Sequence, residues 1–208
     1  MKIDFYFDPS CPFSWITSRL IKNVEQDRKL DVSWRPFSLA IKNDDFNGDG
    51  ERESIGHIAS HRVLRVMLAA TEGGASMDGL YTSFGTQKHI IQEPYSDEII
   101  AKVLTDLELP ADLINRADDT SLDGKLSESI SSATDIVGDD VGVPIIVFTL
   151  PDGSQSGYFG PVLESLPDKE ACLSLWDGLA VLATSPDFYE LKRERPSGMP
   201  DTGSTARC

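Results

Sequence analysis

Ile3, Phe5 and Phe7 alternate with Lys2, Asp4 and Tyr6, and the pattern stops at Asp8-Pro9-Ser10-Cys11-Pro12. Phe13, Ile16, Leu20, Ile21 and Val24 then recur at helical spacing. A period that changes from two to 3.6 across so short a break predicts a strand running almost directly into an amphipathic helix. Pro12 suits the first turn of that helix, where its missing N–H costs nothing. A second strand is predicted from Asp31 to Phe37, with Val32 and Trp34 on one face, so the chain opens as a βαβ unit.

The pattern changes from about Glu53 to Ser132. Helical spacing (Ile55, Ile58, Val63, Val66, Met67) and the capping signal Ser96-Asp97-Glu98 appear there without a convincing strand, and Gly73-Gly74 and Glu108-Leu109-Pro110 read as breaks between helices. Strands return at Pro144 to Thr149 and Gln155 to Phe159, joined by the turn Pro151-Asp152-Gly153, and a last helix is predicted from Asp168 to Ala183. The tail from Pro196 to Cys208 is rich in Pro, Gly, Ser and Thr and is expected to be loosely held. The expected organisation is a discontinuous domain of residues 1–50 and 135–195, an all-helical insertion at 51–134 and a flexible tail at 196–208.

Against 34 acidic side chains stand 19 basic ones, a net charge of −15. That balance opposes nucleic-acid binding, which needs a surplus of Lys and Arg, and it repels anionic membrane surfaces. No stretch has the roughly eighteen apolar residues that a spanning helix requires, and the charged start lacks a signal-peptide core, so a cytoplasmic location is expected. Three cysteines in 208 residues do not make a disulfide scaffold. A homodimer is left open, and the histidine and carboxylate spacings predict no metal.

Cys11 is the residue with most chemistry attached to its position. An isolated cysteine is more often a small core residue. One at a helix start, however, faces unpaired N–H groups and a partial positive charge that favour thiolate over thiol. The helix alone could lower its pKa from about 8.5 to about 7. Asp8 opposes this shift. Phe13 and Trp15 flank the cysteine: Phe13 is expected to be partly exposed beside the sulfur as an apolar substrate contact, and Trp15 to pack inward. Arg19 is expected to pair with acidic neighbours. Val143-Pro144, taken alone, reads as an ordinary trans proline opening an edge strand.

Several segments in this order resemble a known family. They are Phe7-Asp8-Pro9, Cys11-Pro12-Phe13-Ser14, Trp15-Ile16-Thr17-Ser18-Arg19, Ser38-Leu39-Ala40, Leu80-Tyr81-Thr82, Val141-Gly142-Val143-Pro144, Phe159-Gly160-Pro161-Val162-Leu163 and Phe188-Tyr189-Glu190-Leu191-Lys192-Arg193. The chain resembles the DsbA-type thioredoxin-like fold, an α/β fold with an all-helical insertion, and within it the actinobacterial branch that includes mycothiol-dependent nitroreductases. The resemblance implies that Cys11 is the nucleophile. It also implies that Pro144 follows a cis peptide bond across from Cys11, and that the Val143 backbone is turned toward a substrate that can pair with it as an added strand. Pro12, Phe13, Val143, Pro144 and His89 are the implied substrate contacts. Ser14 stands where dithiol members carry their second cysteine, so a mixed disulfide on Cys11 waits for a thiol from outside. The activity implied is monothiol thiol–disulfide exchange with a low-molecular-weight thiol, mycothiol or glutathione, as co-substrate and no tightly bound cofactor. The alternatives are a kappa-type thiol transferase or isomerase, and a non-catalytic binding module.

Other signals are weaker. Cys172 is expected to be buried in the last helix, and Cys208 to be an incidental exposed thiol. Asp45-Phe46-Asn47-Gly48-Asp49-Gly50 matches the start of a calcium loop but has Gly56 where the bidentate glutamate belongs, and reads as an acidic surface loop. His57 and His61 share a helix face without the glutamate of a zinc-protease motif.

Overall fold

The computed structural model describes residues 1–47 and 52–206, the side chains of 52 and 53 excepted. Its centre is a sheet in the order β2-β1-β3-β4, built from β1 (Lys2–Phe7), β2 (Asp31–Pro36), β3 (Ile145–Thr149) and β4 (Gln155–Phe159). β1 runs parallel to β2, with Phe5 opposite Trp34, and antiparallel to β3, with Phe5 opposite Ile146; β3 and β4 form an antiparallel hairpin. The parallel pair needs a crossover, which α1 (Pro12–Arg28) supplies. The hairpin closes as its turn residues predict, with Gly153 at φ 86° and Asp152 accepting from the Ser154 N–H.

The alternation in β1 decides what each face meets. Ile3, Phe5 and Phe7 point into the larger core with Ile16, Leu20, Tyr81 and Trp176, the last carried by α7 (Lys169–Ala183). Tyr6 faces the other way, into a smaller cluster with Phe37, Ile145, Val147 and Cys11. That side is covered by α6 (Asp123–Val137), whose Ser132 hydroxyl meets Tyr6 Oη at 3.1 Å. Between β2 and β3 come α2 (Leu39–Lys42), α3 (Arg52–Glu72), α4 (Met77–Gly85), α5 (Asp97–Asp106) and α6, and the breaks at Gly73-Gly74 and Glu108-Leu109-Pro110 fall where the sequence places them. Ile55 departs from the helical pattern: it lies on the exposed side of α3, and the buried stripe begins at Ser60, His61 and Val63. No helix among the described residues is long and apolar enough to cross a membrane.

The C-terminal segment departs from its composition. Pro200 is buried, Asp201 bridges to Ser165, and Thr205 accepts a hydrogen bond from Trp15 Nε1 at 2.8 Å. Residues rich in Gly, Ser and Thr form no core of their own, but here their hydroxyls satisfy polar groups that the main core leaves open. Cys208 lies outside the described residues.

Trp15 sits in a slot closed by Gly85. A Cβ built on Gly85 falls 2.3 Å from Trp15 Cζ3 and 2.4 Å from Cε3. Because the indole is also tied to Thr205, Gly85→Ala is expected to destabilise the fold by about 1–3 kcal/mol, read from urea denaturation. A variant as stable as the parent would show that the indole can shift at no cost.

Candidate functional site

Cys11 is the N-cap of α1. Its backbone is extended (φ −79°, ψ 114°), and its sulfur accepts a hydrogen bond from the Ser14 N–H at 3.5 Å. Such a cap satisfies one of the donors every helix start leaves open, a role usually filled by an oxygen. The same sulfur donates to the Val143 carbonyl at 3.4 Å. The residue before Pro144 and the residue before Pro12 therefore meet at one sulfur, and the Val143–Pro144 bond is cis. Cys11 is 8% exposed and Val143 5%; Pro144 is buried, and Pro12 and Phe13 are half-buried. Arg195 places its guanidinium 5.0 Å above the Phe13 ring.

The acidity expected of Cys11 is corrected by its surroundings. Burial pushes the thiol up, and this outweighs the lowering by the Ser14 hydroxyl and N–H; Asp8 adds to the rise, and the Phe13 N–H opposes it. A helix start contributes at most about 2 kcal/mol toward an anion, whereas desolvation of a buried charge costs several. Ser14 is fully buried, and its Oγ has no hydrogen-bond partner among the described residues. The lowering by this hydroxyl reflects the hydrogen bond it can donate to the anionic sulfur, since none to the thiol is formed.

The turn that carries Cys11 hangs from several elements. Asp8, fully buried, accepts from Ser10 N (2.8 Å), Ser10 Oγ (2.7 Å) and Ser60 Oγ of α3 (2.6 Å) on one oxygen. Its other oxygen accepts from Leu39 N of α2 at 2.8 Å. The Asp8 carbonyl receives the Cys11 N–H at 3.0 Å. The Pro9 carbonyl receives His89 Nε2 at 2.9 Å and Tyr95 Oη at 3.0 Å. The role expected of His89 is thereby corrected. It is buried, stacked on Trp15 at 5.6 Å, and its ring nitrogen is spent on the turn rather than offered to a ligand.

The remaining sequence candidates are placed elsewhere. Arg19 lies over the Trp15 ring at 4.3 Å and donates to Ser18 and Thr82. His57 meets Asp45 at 2.7 Å, while His61 is buried between Ser38 Oγ (2.8 Å) and Asp123 (3.0 Å), so the pair does not converge on one point. Asp45–Asn47 form a 3-10 turn, and the rest of the calcium-like motif, Gly48 to Gly50, lies outside the described residues. Among the described residues no group of His, Cys, Asp and Glu could hold a metal ion. Cys172 is buried, with its sulfur donating to the Pro167 carbonyl at 3.3 Å. Two apolar grooves of about 280 and 390 Å³ lie along α7, lined by neither Cys11 nor Pro144. Sequence reasoning gave Asp8 only an opposing charge and passed over Ser60 and Tyr95. Asp8-Pro9-Ser10 does carry a local signal, since an aspartate readily accepts from the N–H two residues on.

Residues 10–193 match the family model described as mycothiol-dependent nitroreductase Rv2466c. Rv2286c of Mycobacterium tuberculosis, an uncharacterised protein, is 26% identical over 93% of this chain and 82% of its own length. The cytosolic disulfide reductase DsbM from Pseudomonas aeruginosa superimposes with a TM-score of 0.60 at 12% identity, covering 88% of this chain and all of its own. DsbM has also been solved with GSH, and that structure matches with a TM-score of 0.59 at 10% identity, over 87% of this chain and 100% of its own. The probable DsbA oxidoreductase SCO1869 from Streptomyces coelicolor gives 0.57 at 14% identity over 93% of this chain and all of its own. Likeness at such identities carries the fold, which is the DsbA-type thioredoxin-like fold.

Burial holds His89 down to about 4 from an ordinary 6.5. A histidine kept neutral by folding takes up its proton readily only when unfolded. Its contribution is whole above about pH 6.5 and is lost as pH falls from there toward about 4, by up to about 1.4 kcal/mol per pH unit. His89→Gln, which keeps a donor for Pro9, is expected to flatten this part of the stability–pH curve measured by urea denaturation. An unchanged slope would assign the acid sensitivity to other groups.

Proposed function

The chain belongs to the Rv2466c-like family of mycothiol-dependent nitroreductases, and on that footing we propose that it is a monothiol thiol–disulfide oxidoreductase in which Cys11 is the nucleophile and a low-molecular-weight thiol, mycothiol or glutathione, is the co-substrate. The observation that carries this reading is the Cys11 sulfur at the start of α1, 3.5 Å from the Ser14 N–H and 3.4 Å from the Val143 carbonyl, with serine and not a second cysteine one turn on. The family description and a related fold solved with GSH support a small thiol as partner. No tightly bound cofactor is needed, and the small-thiol pool of a reducing compartment would supply the electrons.

At rest the thiol proton is directed at Val143. A partner that pairs its own N–H with that carbonyl takes away the thiol's acceptor, which favours release of the proton. The Ser14 N–H and the unpartnered Ser14 hydroxyl then both point to the anion, and each charge-assisted bond is stronger than a neutral one. The thiolate attacks one sulfur of the incoming disulfide. A Cys11–sulfur bond forms, the substrate S–S bond breaks, and the second sulfur leaves as a thiolate that takes a proton. Serine cannot resolve the mixed disulfide. A second thiolate from solution attacks the substrate-side sulfur, carries it away as a new disulfide and returns Cys11 to its starting state. Pro12, Phe13 and Pro144 line the approach as apolar contacts.

Reduced protein incubated with oxidised glutathione or oxidised mycothiol is expected to carry one adduct, on Cys11, by peptide mass spectrometry, and Cys11→Ser is expected to carry none. Ser14→Ala is expected to slow adduct formation about tenfold, as loss of one hydrogen bond to a charged group implies. Absence of an adduct on Cys11, or equal labelling of every cysteine, would sink the assignment.

A further inference from the structure

We infer that Asp8 is a positioning residue for Cys11: its buried carboxylate draws the Asp8–Cys11 turn together and, by its charge, keeps the resting sulfur in the thiol form donated to Val143. The inference deepens the reading of Cys11 as the working sulfur and assigns a role to Asp8, the middle residue of the Phe7-Asp8-Pro9 segment.

The geometry has three parts. Asp8 is fully buried, so the effect of its charge is not screened by solvent as a surface charge would be. It receives four hydrogen bonds, from Ser10 N, Ser10 Oγ, Ser60 Oγ and Leu39 N, which fix the carboxylate in one orientation. Its own carbonyl accepts the Cys11 N–H at 3.0 Å, so charge and sulfur are joined by a single closed turn. Those four donors come from the turn itself, α2 and α3, so the carboxylate also fastens the Cys11 turn to the helices between β2 and β3.

The tyrosines and histidines around this pocket are shifted toward their neutral forms. Tyr81 of α4 faces both Cys11 and Asp8, and burial holds it well above its ordinary range, so it is neutral. Tyr95 is neutral for the same reason. His89 is neutral on Pro9, and His61 of α3, which also feels Asp8, is pushed down by burial. Tyr6, in the same cluster as Cys11, is raised by burial. Arg19 acts on Tyr81 from α1 and is engaged with Trp15, Ser18 and Thr82, while Arg195 lies over Phe13. Asp8 also acts on Cys11 in the direction of the thiol.

The test is the pH dependence of Cys11 alkylation by iodoacetamide in the full-length protein, followed on the Cys11 peptide by mass spectrometry. Asp8→Asn is expected to move the midpoint down by roughly half to one pH unit. Ser60→Ala keeps the charge and removes one of its donors, and is expected to leave the midpoint in place or raise it. A midpoint unmoved by Asp8→Asn overturns the inference. So does a midpoint lowered by Ser60→Ala, which would show that loosening the turn, and not the charge, governs the sulfur; this arm stands even if Asp8→Asn does not fold. The readout is independent of disulfide exchange: failure of Cys11 to form adducts with oxidised thiols would remove the proposed activity and leave this midpoint shift intact.

Discussion

One sulfur takes part in two hydrogen bonds of opposite sense, and the site is organised around that fact. Cys11 accepts from the Ser14 N–H as the cap of α1 and donates to the Val143 carbonyl as a thiol. The first bond ties it to the helix, and the second ties the helix start to the segment that opens β3. Both require the Asp8–Cys11 turn to hold its shape, and that turn is suspended from α2, α3, His89 and Tyr95. The helices between β2 and β3 thus hold Cys11 in place as well as covering the sheet.

The electrostatics follow from burial more than from sequence charge. An excess of 15 negative charges sets the character of the surface, but the groups that matter near Cys11 are inside. There, desolvation decides which form each group takes: it holds the tyrosines protonated, the histidines neutral and the cysteine as a thiol. A helix N-terminus favours an anion by a small fixed amount, and an apolar pocket withdraws more than that.

Much of this architecture was legible along the chain. The change of apolar period around Cys11 placed the junction between β1 and α1, Pro12 marked the helix start, and Pro151-Asp152-Gly153 marked the hairpin. These features are local: a proline, a turn and a side-chain period act on the residues beside them. His89 and the C-terminal residues were read less well. His89 was expected to contact a substrate because the resemblance places its segment over the site, and a resemblance between segments does not say that the ring turns inward to the Pro9 carbonyl. The tail looked loose because composition reports the absence of a core, and it gives no warning that Thr205 satisfies Trp15 or that Thr202 reaches the His89 carbonyl.

By itself, the order of residues determined that a cysteine would cap a helix at the end of a buried strand, and that no cysteine would follow one turn later. Both are matters of adjacency, written within four positions. Only the folded chain decided how that sulfur behaves. Its acceptor lies 132 residues away at Val143, and the hydroxyl beside its turn comes from Ser60. Exclusion of water from the sulfur is a property of the whole packed interior. Acidity is set by the surroundings in three dimensions, and those surroundings are assembled from parts of the chain that share no local pattern.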